Sequence, residues 1–169
     1  QEWMVNLWIN GGWDDSYLRI EAVDDEFLTR LFGENHDEGI LYRGLEIDAL
    51  HETVDLDYWG ADPDDYRPFY QNINGDWEND TCQEIIEICR IFSSGEVPDE
   101  EFPEAIDAVI DTGQWILFFA AQACLNNEEG GIANDKGDDY YIYIREDDRK
   151  AILLPWDLDT SFSDAEERL

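Results

Sequence analysis

Apolar positions in this chain fall first into short alternating runs and later into helical stripes. Trp3 to Ile9 (WMVNLWI) and Ser16 to Ala22 (SYLRIEA) are rich in bulky and β-branched side chains. Asn10-Gly11-Gly12 between them supplies the positive-φ residues of a tight turn, so a β-hairpin is predicted. Asp24 is placed to cap a short helix in which Phe27, Leu28, Leu31 and Phe32 form one stripe, with Gly33 as its stop. Gly39 to Arg43 (GILYR) reads as another brief strand.

From Leu45 to Asp80 the chain is acidic, aromatic and punctuated by Pro and Gly, with no sustained period of 2 or 3.6, which predicts a long loop or insertion. Thr81 and Glu84 form a capping-box pattern ahead of Ile85, Ile86, Ile88, Cys89 and Phe92, predicting a helix to about Ser93. A second helix follows Pro98 through EEFPEAIDAVI, with Pro103 near enough to its start to be tolerated. Asp111 or Thr112 caps a third, QWILFFAAQACLNN, which is apolar nearly all round and is therefore expected to be the central buried helix. Beyond a polar loop from Asn126 to Asp139, Tyr140 to Arg145 and Ala151 to Trp156 flank the turn EDDRK as a second hairpin. The fold class expected is α+β in one domain: hairpin, helix and strand over 1–44, an acidic loop over 45–80, and a helical part with the second hairpin over 81–169.

Composition changes the picture through charge. The chain has 169 residues, with 43 acidic against 10 basic side chains and a formal charge of −33. Such a surface repels phosphates, which excludes a nucleic-acid-binding domain. A hydrophobic fraction of 43% and an aromatic fraction of 14% nevertheless exceed what a disordered acidic tail carries, so a packed core is expected. The acidity fits a very salty solvent, where counterions screen it, or the binding of cations. The three cysteines lack disulfide-dense spacing and read as small core residues. The longest apolar run, Trp115 to Leu125, is too short to span a bilayer, and no signal peptide is visible. The first residue, Gln1, stands at a strand-like run already under way, so upstream sequence is expected.

The stretch with most chemical content runs from Asn126 to Ser163. Asp157 and Asp159 are two apart. On a continuing strand both carboxylates would share a face and could share a divalent cation, whereas in an acid-rich protein they could equally just end a strand. Magnesium prefers one or two carboxylates plus phosphate oxygens, which makes the pair sufficient for an ATP site. Phosphoryl transfer also needs a carboxylate near the acceptor hydroxyl, and Glu128, Glu129, Asp135, Asp138 and Asp139 are available in the loop. Asp55, Asp57, Asp62, Asp64 and Asp65 suggest weak Ca²⁺ binding. Asn72, Asn74 and Gly75 imitate part of an EF-hand loop, but Tyr70 and Thr81 stand where its first and last ligands should be. His36 and His51 have no neighbours that would build a Zn site or a triad.

These segments, in order, resemble the CotH kinases, atypical secretory-type protein kinases named for spore coat protein H. VNLWINGGWDDSYLRIEAVDDEFLTRLFG resembles the family's strand, NG turn, strand ending in Glu, and short helix, and ILYRG resembles its L-Y-K/R-G. DTGQWILFFAAQACLNN resembles the helix before the active-site loop. DDYYIYIREDDRKAILLPWDLDTSF resembles the N-Y-Y-L-Y hairpin and the P-W-D-x-D signature, the most specific segment of all.

The resemblance implies a fragment of an atypical protein-kinase-like fold that transfers phosphate from ATP, with Mg²⁺, to Ser or Thr of protein substrates. It implies Asp157 as the metal-binding acid, with Asp159 and Asp139 as further ligands, Glu129 as the base and Asp135 as its reserve. Asn127 would belong to the nucleotide site, and Glu21 to Val23 would be the crossing segment whose backbone meets adenine. A cell-surface or extracellular setting goes with the family. Departures stand out: Asn127 and Glu129 before Gly130 replace an N-x-D-G-like pattern, Asp139 replaces the hairpin's Asn, Asp15 stands where the first hairpin has Gly, and the family's upstream phosphate-pairing Lys or Arg and its C-terminal helices are expected outside Gln1 to Leu169. Two other readings follow, a pseudokinase or coat-assembly module and a Ca²⁺-stabilised extracellular binding module.

Overall fold

A computed structural model describes residues 2–33, 38–45, 54–127, 130, 139–158 and 161–162. The chain is α+β and divides into two compact units, Gln1–Asp37 and Glu38–Leu169.

In the first unit, β1 (Glu2–Ile9) and β2 (Gly12–Ile20) pair antiparallel. The turn is made by Asn10 at φ 52° and Gly11 at φ 81°, the left-handed pair that matches the strands' twist. Val5 faces Tyr17 and Trp8 faces Trp13, with a bulge between Asn6 and Trp8. Helix α1 (Asp25–Phe32) starts as its sequence predicts: the Asp24 carboxylate accepts from the Phe27 N–H at 3.0 Å, and Gly33 stops the helix at φ 101°.

The second unit holds a four-stranded antiparallel sheet in the order β4-β3-β5-β6, with β3 Ile40–Gly44, β4 Tyr70–Asn72, β5 Tyr140–Ile144 and β6 Ala151–Pro155. Strand β4 is a feature that the expected long loop did not include. It has three residues and no alternation of its own, and pairing with β3 is what defines it. One face of the sheet carries Tyr42, Ile142 and Leu153 into the core, where Ile85, Ile88 and Cys89 of α2 (Gln83–Ser93), Ile106 of α3 (Phe102–Val109) and Trp115 and Phe118 of α4 (Thr112–Leu125) meet them.

Two helix starts are instructive. At α2 the capping box does not form: Cys82 stands at the N-cap with φ 47° and no side-chain cap, and the Asp80 carboxylate accepts from the Cys82 N–H instead. At α4 the Asp111 carboxylate accepts from the Gln114 N–H at 3.1 Å, as expected. The expectation that α4 is buried all round is corrected. Trp115, Phe118 and Gln122 are buried, while Ile116 is 64% and Leu117 72% exposed. Gln114 pins the helix to the edge strand by pairing both halves of its amide with the Leu153 backbone, at 2.7 and 2.9 Å, so the rest of α4 faces outward.

Candidate active site

Because Tyr140 pairs with Pro155, strand β5 begins where β6 ends, and β3, antiparallel to β5, ends there too. That end of the sheet therefore gathers Arg43, Asp139 and the residues that follow β6. The Trp156 N–H donates to the Asp139 carbonyl at 3.0 Å, extending the ladder one residue past the named strands. The Trp156 ring stands edge-on to Tyr141, with centroids 5.5 Å apart, and the Arg43 guanidinium lies over it at 5.8 Å.

The two described acids at this end differ in environment. Asp139 is 7% exposed, a carboxylate largely withdrawn from water. Asp157 is exposed and sits at φ 39°, a left-handed conformation costly for a residue with a Cβ. Strand β6 stops at Pro155, two residues before Asp157, and Leu158 is exposed. The Phe162 N–H donates to the Leu125 carbonyl at 2.9 Å, which sets Phe162 against the last turn of α4.

Asn127 lies immediately beyond that turn. Asn126 ends α4 at φ 51°, and Asn127 turns back so that its N–H and its amide nitrogen both reach Gln122, each at 3.2 Å. Both side chains are buried, Asn127 at 7% and Gln122 at 5% exposure. Gly130 closes over them so tightly that a Cβ there would stand 2.6 Å from Gln122 Cδ and 2.7 Å from Asn127 Nδ2. Gln122 was not anticipated as part of this site. Its signal is spacing: it continues the Trp115 and Phe118 stripe, a long polar side chain on the buried face of an otherwise apolar helix.

Sequence, fold and site order thus run from hairpin to buried helix to W-D-L-D turn, and residues 4–168 match the family model described as CotH kinase protein. The chain belongs to the CotH kinase family. No curated protein matches it. Of the residues that the CotH resemblance singles out, Asn127, Asp139 and Asp157 lie in the second unit, around the sheet end and the α4 terminus. Glu129, Asp135 and Asp159 lie outside the described residues. Among the described residues no group of three or more His, Cys, Asp or Glu side chains could hold a metal ion.

Glu21 and Val23 belong to the first unit, where Glu21 is ion-paired with Arg30 at 2.7 Å and Val23 is buried. Other sequence candidates have structural employment. Asp62 caps a short 3₁₀ turn, Asn72 donates to Asp80, and Asn74 braces β3 by bonding the Leu41 N–H and the Gly39 carbonyl. His36 and His51 fall outside the described residues. Cys82 and Cys89 are buried, and burial pushes their thiols up to about 11 and about 12. Cys124, expected in the core with them, is exposed. A cavity of about 270 Å³ between α2, α3 and the β5–β6 turn, lined by Glu84, Glu87, Ile88, Val109, Ile144 and Arg149, is at the far end of the sheet from Asp139. No described helix is long and apolar enough to cross a membrane.

Proposed function

We propose that this CotH family member is a protein kinase that moves the γ-phosphoryl group of ATP to Ser or Thr hydroxyls of protein substrates. The observation carrying this reading is the sheet end itself. It carries a withdrawn carboxylate, Asp139, whose carbonyl accepts from the Trp156 N–H, and next after Trp156 in the chain the exposed Asp157 at a positive φ.

The donor set suits magnesium, a hard cation that takes one or two carboxylates and leaves its other positions to phosphate oxygens and water. Asp157 and Asp139 would hold it, with Asp159 as a further ligand. The ion, when bound, neutralises charge on the phosphates. Asn127, fixed by Gln122 and Gly130, would belong to the nucleotide site. In the transfer the substrate Oγ bonds to the γ-phosphorus, the bond from that phosphorus to the β,γ-bridging oxygen breaks, and ADP leaves. The hydroxyl proton passes to a loop carboxylate, for which Glu129 is the first candidate and Asp135 the second.

Incubation of the protein with γ-labelled ATP, Mg²⁺ and a mixed Ser/Thr protein substrate tests the reading. Incorporation is expected, reduced about a hundredfold or more in Asp157→Asn, the size of effect expected when an electrostatic partner of the reacting group is removed. Retained nucleotide binding with no incorporation would instead favour the pseudokinase or assembly-module reading, which the Asp139 and Glu129 departures motivate.

A further inference from the structure

Arg43 and the exposed Arg19 stand apart from the other described cations, each lying over a tryptophan ring, and of the two only Arg43 has a nitrogen sealed from solvent without an acceptor. Arg30, Arg67, Arg90, Arg145, Arg149 and Lys150 each form an ion pair with a carboxylate, as expected where acids outnumber bases four to one. Arg43 forms none among the described residues. Its Nε is sealed from solvent with no acceptor, and its guanidinium rests on the face of Trp156. An arginine presents five donors and stays charged at any physiological pH, so a half-buried guanidinium whose Nε lacks an acceptor is costly unless its outer nitrogens are well met.

Its position says what would meet them. Arg43 lies near the end of β3, paired with Tyr141 of β5, two residues from Asp139, and the ring beneath it belongs to the residue before Asp157. It is ion-paired to neither acid, although both lie at the same end of the sheet. A cation and two carboxylates kept apart in this way suit a ligand that carries both signs, a metal-bound phosphate chain, with the carboxylates on the metal and the planar guanidinium on phosphate oxygens.

We propose that Arg43 binds a phosphate oxygen of the nucleotide taken up at the Asp139–Asp157 end of the sheet. Trp156 is the positioning residue that fixes the guanidinium plane. The inference rests on the kinase reading of that end and assigns it a cation that the carboxylates among the described residues leave uncovered.

The test is isothermal titration of the full chain and its Arg43→Gln and Arg43→Lys variants with Mg-ATP and, separately, with adenosine, after melting curves establish that the variants are folded. Arg43→Gln is expected to weaken Mg-ATP about tenfold or more while leaving adenosine within about twofold, with Arg43→Lys in between. Equal Mg-ATP affinity in all three proteins overturns the proposal and leaves the kinase reading standing. A parallel loss of both ligands in Arg43→Gln assigns the arginine a structural role and also overturns it. Absence of Mg-ATP binding to the unmodified chain removes the kinase reading itself.

Discussion

Asp157 is one of several exposed residues of this chain held at positive φ, with Asn10, Arg149 and Phe162. At φ 39° its Cβ is crowded, and a glycine would occupy the same conformation without that cost. Asp157→Gly is therefore expected to leave stability unchanged or raise it by about 0.5 kcal/mol in urea unfolding while abolishing phosphate transfer. A clear loss of stability would mean that the carboxylate holds the fold together. The thiols make a second prediction at this scale. Cys124 should react with a thiol reagent within seconds in the native protein, whereas Cys82 and Cys89 should react only after denaturant is added. Their raised folded values also fix a sign. A thiol that is harder to ionise when folded contributes its stability below the unfolded value near 8.5, and that contribution is lost as pH rises from about 9 toward 12. The alkaline limb of a stability profile should accordingly flatten in Cys89→Ala, compared with its own neutral value.

At the level of elements, local chemistry was legible and tertiary recruitment was not. The Asp24 and Asp111 caps, the Asn10-Gly11 turn and both hairpins rest on interactions within a few residues, so the sequence shows them directly. Strand β4, the Cys82 start of α2 and the outward face of α4 depend on what distant segments supply: the β3 edge, the Asp80 carboxylate, and the grip of Gln114 on Leu153. That grip can be measured. Gln114→Leu leaves two backbone groups of β6 without their partner and is expected to cost about 1–3 kcal/mol in urea unfolding. Asp111→Ala removes a cap and also releases Arg145, which lies 3.0 Å from the Asp111 carboxylate, for an expected cost of about 1–2 kcal/mol. Changes below about 0.3 kcal/mol would show that packing of Trp115 alone seats the helix. The same division holds for the site. The W-D-L-D turn announced Asp157, but Arg43 and Gln122 became visible only when the register brought β3 beside β5 and α4 turned Gln122 inward.

Across the whole molecule, the formal charge of −33 sets the solvent in which these contacts operate. Most described cations are already paired, so screening of the remaining carboxylates falls to dissolved ions. At about 1 M salt the Debye length is about 3 Å and their mutual repulsion is largely removed. The melting temperature should rise by several degrees between dilute buffer and molar KCl, and a flat or falling curve would contradict a salt-adapted surface. Under the proposed function this charge also sets a requirement at the Asp139–Asp157 end: an anionic nucleotide would approach so acidic a protein with a cation to carry it. The most direct measurement is isothermal titration of ATP into the protein and into Asp157→Asn, with and without Mg²⁺, in high salt. The account predicts binding that requires Mg²⁺ and weakens at least about tenfold in the variant. Affinity that is the same in both proteins, or indifferent to Mg²⁺, would contradict it.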